Sequence, residues 1–397
     1  HERHAMIKVL MLPSWYRYKR NPSAGIFILN QAKALARTGE ADVTLLNWGQ
    51  NQFQLRIRDP LHSLGALKGR VFSRRDTRIL ETGLTELCIP HLTWTSRFLK
   101  GNIERLANKV NLDFTPDIIH AHVAFPAGYL AMLLSQKLGV PYIITEHSGP
   151  FPFLEFVSSR GISPLVLEPL REAARIVAVS SFLRQEIKSK TGLDSLVIPN
   201  SLDTSLFQPG NPASSDGKFR LFCLSGLNVE KGATDLLQAL KIALQMNIDF
   251  HLNWGGQGKL QKDMPRLLEQ YGLEGRVTLL GGLKPESTVS YYQGCDCFVM
   301  PSRLESFSMV VLEAMACGKP IIATNCGGPR DLLCNECGIL VPKQNPLALA
   351  RAISRMSQKY SDYSQEKIRQ RCLENYSHEV VGERLIELYL QVLSRLP

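Results

Sequence analysis

The stretch from Cys297 to Thr324 limits the possible folds more than any other part of the chain. Cys297-Phe298-Val299-Met300 is an apolar run closed by Pro301-Ser302, the pattern of a buried strand ending at a turn. From about Ser306 the apolar residues Phe307, Val310, Val311, Ala314 and Met315 recur at helical spacing. Gly318 stops that helix, and Lys319-Pro320-Ile321-Ile322-Ala323 reads as the next strand. Strand, helix, strand is the unit of a parallel α/β sheet, and such sheets take ligands at the carboxyl ends of their strands.

Two carboxylates stand out within this unit. Glu305 falls in the loop at the strand's carboxyl end, and Ser306, Phe307 and Ser308 follow in what reads as the first helical turn. Free N–H groups and the positive end of the helix dipole favour an anion there. Glu313 lies more than two turns further on, so the pair cannot share a proton as a close dyad. Their separation suits two hydroxyl-bearing parts of one ligand, with a phosphate at the helix start. An N-terminal helix acid plus a solvated surface acid is the plainer alternative.

The wording Ser302-x-x-Glu305-Ser306-Phe307, followed by Glu313-Ala-Met-Ala-x-Gly-x-Pro320, resembles the E-x7-E signature of the GT-B glycosyltransferases, specifically the large retaining family 4. The resemblance implies a GT-B fold of two Rossmann-like, doubly wound domains facing a central cleft. It implies a retaining hexosyltransferase that moves a sugar from a nucleotide-sugar to an acceptor hydroxyl without metal or cofactor. It also implies roles: Glu305 on donor-sugar hydroxyls, Glu313 on the ribose, and the N–H groups at Ser306, Phe307 and Ser308 on the diphosphate.

At 397 residues the chain exceeds one ordinary domain. No apolar run approaches the roughly 18 residues of a membrane span. His1 to Ala5 precede Met6 and are left out of the fold reading. Ile7 to Leu12 reads as a short strand rather than the apolar core of a signal peptide. Nine cysteines in so long a chain suit packed thiols in a reducing compartment. Cys334-x-x-Cys337 and Cys295-x-Cys297 have no second ligand pair nearby to make a zinc site. A cytoplasmic protein is expected. Residues 1–208 hold 25 Lys and Arg against 17 Asp and Glu, whereas the remainder holds 21 against 19. The first half therefore carries most of the net charge of +10. An anionic lipid surface, nucleic acid or an anionic substrate would each answer to it.

Taken in order, strands and helices alternate through residues 6–208, the expected first domain. Phe27 to Thr38 has helical spacing, and Gly25 in the loop before it allows close approach of backbone to a ligand. No G-x-G-x-x-G follows the first strand, so a nicotinamide cofactor is not suggested. Family members place a glycine loop here against donor phosphates and acceptor; Gly25 matches, and Ala24 stands at the family's frequent second glycine. Residues 51–110 are less regular. Arg56, Arg58, Lys68, Arg70, Arg74, Arg75 and Arg78 crowd one stretch, and Trp94, Phe98 and Leu99 follow beside Arg97 and Lys100. Such a stretch suits either the inner face of an anionic membrane or a solvated loop and helix. Family relatives often act on lipid-linked acceptors.

Asp117-Ile118-Ile119-His120-Ala121-His122 reads as a strand entering a loop. It resembles the family motif whose last histidine lies at the catalytic centre, which selects His122. Thr145-Glu146-His147 ends the next strand, and Pro199-Asn200-Ser201-Leu202-Asp203 resembles the family's P-N-G-V-D closure, with Ser201 in place of glycine. His147 and Asn200 are thereby placed on the acceptor side. Residues 209–218 are rich in Pro, Gly, Ser and Asn and read as a linker.

A second domain is expected over 219–375. Its strand Phe219 to Ser225 leads to Glu230-Lys231-Gly232, which resembles the family's G-R-L-x-x-E-K-G. Lys231 is kept as the diphosphate cation, while Gly226 replaces the family's arginine. Either another cation replaces that arginine or donor binding is weaker; a glycine serving a backbone angle is the further alternative. Gly256 belongs to a G-x-G turn, and relatives seat the nucleotide base near Leu283. Residues 376–397 read as an amphipathic helix that in relatives crosses back to the first domain. The class implied is polysaccharide or glycolipid synthesis on a glycan or lipid-linked acceptor. A GT-B sugar-nucleotide epimerase is the nearest rival. A nucleic-acid-binding protein is a remote one, since no recognised module is visible.

Overall fold

The structure is a computed structural model that describes residues 6–18, 21, 24–50, 52–55, 59–94, 99–210 and 217–395. Arg56, Arg58, Arg97, Phe98 and residues 211–216 of the expected linker lie outside the described residues. The chain divides into two compact units, residues 1–201 with 378–397, and residues 202–377.

The first unit is built on one eight-stranded sheet. Its strands run in the order Leu196–Val197, Arg175–Ala178, Tyr142–Glu146, Ile118–His122, Ile7–Pro13, Ala41–Asn47, Leu84–Cys88 and Asp76–Glu81. All neighbours are parallel except the last pair. Central strands of such a sheet are covered on both faces, hence the unbroken apolar run Val9-Leu10-Met11-Leu12 and the wholly buried Ile118–His122. Sequence reading left residues 51–110 irregular. They contain the helices Pro60–Phe72 and Leu99–Lys109 as well as the strand Leu84–Cys88 and the edge strand Asp76–Glu81. Asp76–Glu81 is mostly exposed along its length, so no alternation marked it.

The helix His378–Leu393 completes this unit. It lies against helix Ile26–Arg37 so closely that a Cβ on Gly382 would sit 2.4 Å from the Ala34 carbonyl oxygen. Val381, Leu385, Ile386, Leu388, Tyr389 and Val392 bury themselves in the core that also holds Val9, Met11, Ile28 and Leu35.

The second unit has a six-stranded, wholly parallel sheet ordered Val277–Gly281, Phe250–Gly255, Phe219–Leu224, Cys297–Met300, Ile321–Asn325 and Gly338–Pro342. Its core packs Leu236, Leu237, Leu240 and Ala243 of helix Ala233–Gln245 against Phe250, Leu252 and Trp254. The unit begins at Leu202, ahead of the stretch read as the linker. Leu202 N–H donates to the Tyr376 carbonyl, Arg369 donates to the Phe207 carbonyl, and Phe207 packs edge-on against Tyr292. Residues 202–207 are thus tied to the second unit, and the sequence boundary at 208 moves to Ser201.

Candidate active site

In the second unit the carboxyl ends of strands Phe219–Leu224 and Cys297–Met300 bring Lys231 and Glu305 together. Lys231 Nζ donates to Glu305 Oε1 at 2.7 Å, and Ser302 Oγ donates to the same oxygen at 2.8 Å. Glu305 Oε2 has no hydrogen bond among the described residues, which leaves it available as an acceptor. Both partners are held by close backbone packing. A Cβ on Gly232 would meet the Pro301 carbonyl oxygen at 1.9 Å, and Gly232 sits at φ 72°, which fixes a glycine beside Lys231. Glu305 itself is clamped by hydrogen bonds from its N–H to Cys326 O and from Gly328 N–H to its carbonyl.

The helix begins later than its apolar spacing suggested. It runs Met309–Ala316, and Ser308 precedes it at φ 105°. Ser306, Phe307 and Ser308 therefore form a turn rather than the first helical turn, and the open N–H groups are those of Met309, Val310 and Val311. Phe307 and Ser306 backbone atoms pack onto Gly328, where a Cβ would lie 2.4 Å away. That contact pulls the turn out of helical geometry. Ser308 Oγ is buried without a hydrogen-bond partner. An orphaned hydroxyl and a strained non-glycine φ at the start of a helix together mark a place that a ligand oxygen would satisfy.

Glu313, one helix face further, accepts from Tyr292 O–H at 2.8 Å. Burial pushes its carboxyl up to about 7, against the stabilising bond from Tyr292. Gly256, at φ 139°, would bring a Cβ within 1.9 Å of Ser225 O, so it is glycine by necessity. Leu283 closes over Gly255, where a Cβ would meet the leucine side chain at 2.8 Å. Gly226 does not have positive φ, and its Cβ would meet chiefly the Asn228 side-chain amide, at 2.9 Å. A special backbone angle therefore does not account for this glycine. Arg303, which lies between Ser302 and Glu305 in the chain, is engaged in a bidentate pair with Asp235.

In the first unit three imidazoles stack at the ends of two strands. His120 Nδ1 and Nε2 bond Tyr389 Oη at 2.6 Å and Thr145 Oγ1 at 2.7 Å, and His122 Nδ1 bonds His147 Nε2 at 2.9 Å. Ring centroids of His120 and His122 are 4.4 Å apart, those of His122 and His147 5.2 Å. Burial holds all three well below the ordinary histidine value, so they are neutral near pH 7. His122 Nε2 is buried with no hydrogen-bond partner. Val123 follows at φ 78°, rare for a β-branched residue, and ends the strand directly after His122.

Gly25 caps the helix that carries Phe27, whose ring lies 4.6 Å from that of His147. Its φ of 66° and the 2.3 Å approach of its would-be Cβ to Trp15 O both demand glycine. Asn200 Oδ1 takes a 3.4 Å bond from Gln31, further along that helix. Sequence reading named Thr145 only as part of a Thr-x-His segment and passed over Tyr292 and Tyr389; the three orient Glu313 and His120. No motif singled out the two tyrosines, because a buried hydroxyl is recognised only by what it reaches.

The fold is that of the GT-B glycosyltransferases, with two Rossmann-like domains. Sucrose-phosphate synthase from Thermosynechococcus elongatus matches 98% of this chain and 100% of its own at TM-score 0.75 and 19% identity. Anabaena HepE in complex with UDP-glucose matches 97% and 100% at TM-score 0.68 and 17% identity. Residues 24–206 match the family described as Glycosyltransferase Family 4, and residues 207–376 match Glycosyl transferases group 1. The chain belongs to the group 1 glycosyltransferases. A putative teichuronic acid biosynthesis glycosyltransferase of Bacillus subtilis is 27% identical over 88% of this chain and 89% of that one. An uncharacterized glycosyltransferase of Methanocaldococcus jannaschii is 31% identical over 60% of this chain and 64% of that one, a little under two thirds of its length.

Proposed function

We propose that this glycosyltransferase moves a hexosyl group from a nucleotide-sugar to an acceptor hydroxyl with retention of anomeric configuration, in synthesis of a polysaccharide or glycolipid. The observation that carries the donor half is the Lys231–Glu305–Ser302 network beside an open helix start with a buried orphan hydroxyl. The cation and the N–H groups of Met309 to Val311 suit a diphosphate leaving group, whose charge grows in the transition state. Glu305 Oε2 suits a donor-sugar hydroxyl, and Glu313 the ribose. Solved structures of the same fold carry UDP and UDP-glucose in HepE, which supports a nucleotide-sugar as co-substrate. No step in this reading requires a metal or cofactor.

On the first unit, His122 Nε2 suits a hydroxyl of sugar or acceptor, and His147 fixes its ring. Among the described site residues no close carboxylate pair recommends a two-step glycosyl-enzyme route, so a front-face displacement with the leaving phosphate as base is preferred. The same reading places the protein peripherally on an anionic inner membrane face. Helix Pro60–Phe72 exposes Leu61, Leu64, Leu67 and Val71 along one side, next to Lys68, Arg70, Arg74 and Arg75. Among the described residues no helix is long and apolar enough to cross a membrane.

The test is a thermal-shift series with UDP, GDP and ADP, followed by NMR of the product formed from the stabilising nucleotide's sugar. One nucleotide should raise Tm by mass action, and the product should keep the donor's anomeric configuration. No stabilisation by any of the three, or an inverted product, would refute the proposal. Conversion of donor to its epimer without acceptor would favour the epimerase instead.

A further inference from the structure

A cavity of about 140 Å³ opens in the first unit beside Ser14, Trp15, Trp48 and Gln50. These residues follow the strands Ile7–Pro13 and Ala41–Asn47 at their carboxyl ends. Pro13 is the register partner of His122, so the cavity begins one residue beyond the pairing that places the central imidazole. Its walls are the rings of Trp15, Trp48, Phe125, Phe153 and Phe156. Trp15 touches Phe153 and Phe27 edge-on, at 5.8 and 6.2 Å between centroids, and Phe27 in turn lies against His147.

Two polar atoms contradict a purely apolar purpose. Gln50 donates from Nε2 to the carbonyls of Pro13 and Leu46, at 3.0 and 3.4 Å. Two carbonyl acceptors settle which end of the amide is nitrogen, so Oε1 is the end left over. That oxygen and Thr93 Oγ1 both belong to cavity-lining residues more than nine-tenths buried, and neither has a hydrogen-bond partner. Leaving a buried polar group unsatisfied costs about 1–3 kcal/mol.

The chemistry of an occupant follows from these walls. An alkyl or isoprenoid chain would fit the rings but would leave both oxygens dry. A phosphate would meet no cation, since among the described residues the only ionisable side chain on the wall is that of Glu155, itself exposed. A ring with apolar C–H faces and equatorial hydroxyls satisfies rings and oxygens together. About 140 Å³ is several times the space that one ordered water needs, which leaves room for a ligand of single-ring size.

We propose that this cavity binds a single uncharged sugar or cyclitol ring of the acceptor, with Gln50 Oε1 and Thr93 Oγ1 as its specificity contacts. The acceptor is thereby recognised through a neutral ring at its growing end, not through a lipid tail or a phosphate. The inference rests on the reading of the first unit as the acceptor side.

Trp15 and Trp48 line the cavity and report on it directly. Their fluorescence in the full chain is titrated with methyl α-glucoside, methyl β-N-acetylglucosaminide and myo-inositol, and in parallel with octanol and glycerol phosphate. At least one ring compound should give a saturable change in the millimolar range. Thr93→Val, nearly isosteric, and Gln50→Met should weaken it at least fivefold, with melting curves confirming that both variants fold. Trp48→Phe should remove much of the signal. Saturation by octanol or glycerol phosphate alone, no saturation by any ring, or an unchanged affinity in folded Thr93→Val would overturn the assignment. Titration of the unmodified protein with UDP, GDP and ADP is kept separate. Absence of nucleotide binding there would remove the donor reading and leave the result at the cavity standing.

Discussion

At the scale of single residues, Lys231 and Glu313 make the sharpest demands. Lys231 is the sole motif cation in place for a diphosphate, Arg303 being occupied by Asp235. A charge-assisted bond to a group whose charge grows in the transition state has large leverage. Lys231→Ala should lower kcat by about two orders of magnitude or more; near-normal turnover would move the phosphate site to another loop. Glu313 adds a pH signature. Its folded value of about 7 exceeds its ordinary 4.5. Between those values the folded protein holds a proton that the unfolded chain has released. Stability contributed by this group is therefore lost as pH rises from 4.5 to 7. Glu313→Gln, which keeps an acceptor for Tyr292, should gain Tm relative to the parent more at pH 8 than at pH 5. Nucleotide affinity of the parent should rise almost tenfold per unit below pH 7 and level off above it, if the ionised form holds the ribose. Calorimetric titration at several pH values reads this directly, and the Gln variant should show a weaker, flat profile. Glu305→Gln should instead act mainly on kcat. The lysine and both carboxylates were legible in the sequence because motif wording names them. Ser302's share of Glu305, the orphan on Ser308 and the bond from Tyr292 were not, because each depends on where a side chain ends rather than on spacing.

At the scale of elements, the loops between strands and helices hold what pattern reading found hardest. Helical spacing from Phe307 onward was real but began two residues early, because close packing on Gly328 forces the turn that Ser308 completes. Parallel core strands such as Ile118–His122 and Cys297–Met300 were plain from their apolar runs. The edge strand Asp76–Glu81 was not, since solvent on both sides leaves no pattern to see. The loop around Gly226 offers a test that geometry now sharpens. Its φ is open to any residue, and only the movable Asn228 amide crowds the site. Gly226→Arg should keep the parent Tm within about 1 kcal/mol of stability and tighten nucleotide binding several-fold. A folded variant with unchanged affinity would show that the arginine position of relatives has no phosphate to meet here.

At the scale of the whole molecule, charge and exposed apolar surface coincide on the first unit. Leu61 and Ile79 are each 82% exposed and Val71 is 74% exposed, amid the basic cluster of residues 68–78. Each basic residue near an anionic surface contributes about 1 kcal/mol at low salt. Sedimentation should show binding to vesicles containing phosphatidylglycerol and little to phosphatidylcholine alone, with the difference shrinking as salt rises. Leu64→Glu with Val71→Glu should reduce it at least tenfold, and equal partitioning into both vesicle types would rule out the membrane reading. The sequence showed the charge but left membrane and solvated surface equally open. What it lacked was which leucines stayed outside.

The helix His378–Leu393 has a consequence for how the protein is made. Residues 6–201 leave the ribosome before 378–393 do, yet that helix supplies a large part of the first unit's core. Helix Ile26–Arg37 must wait, its groove for Gly382 and Tyr389 unfilled, while residues 202–377 emerge and collapse on their own. The first unit therefore closes only after the second has been synthesised. A fragment of residues 6–201 should be insoluble or molten on its own, and coexpression of residues 376–395 should return it to a cooperative melt. A fragment that melts cooperatively without that helix would show that the earliest segment can mature by itself.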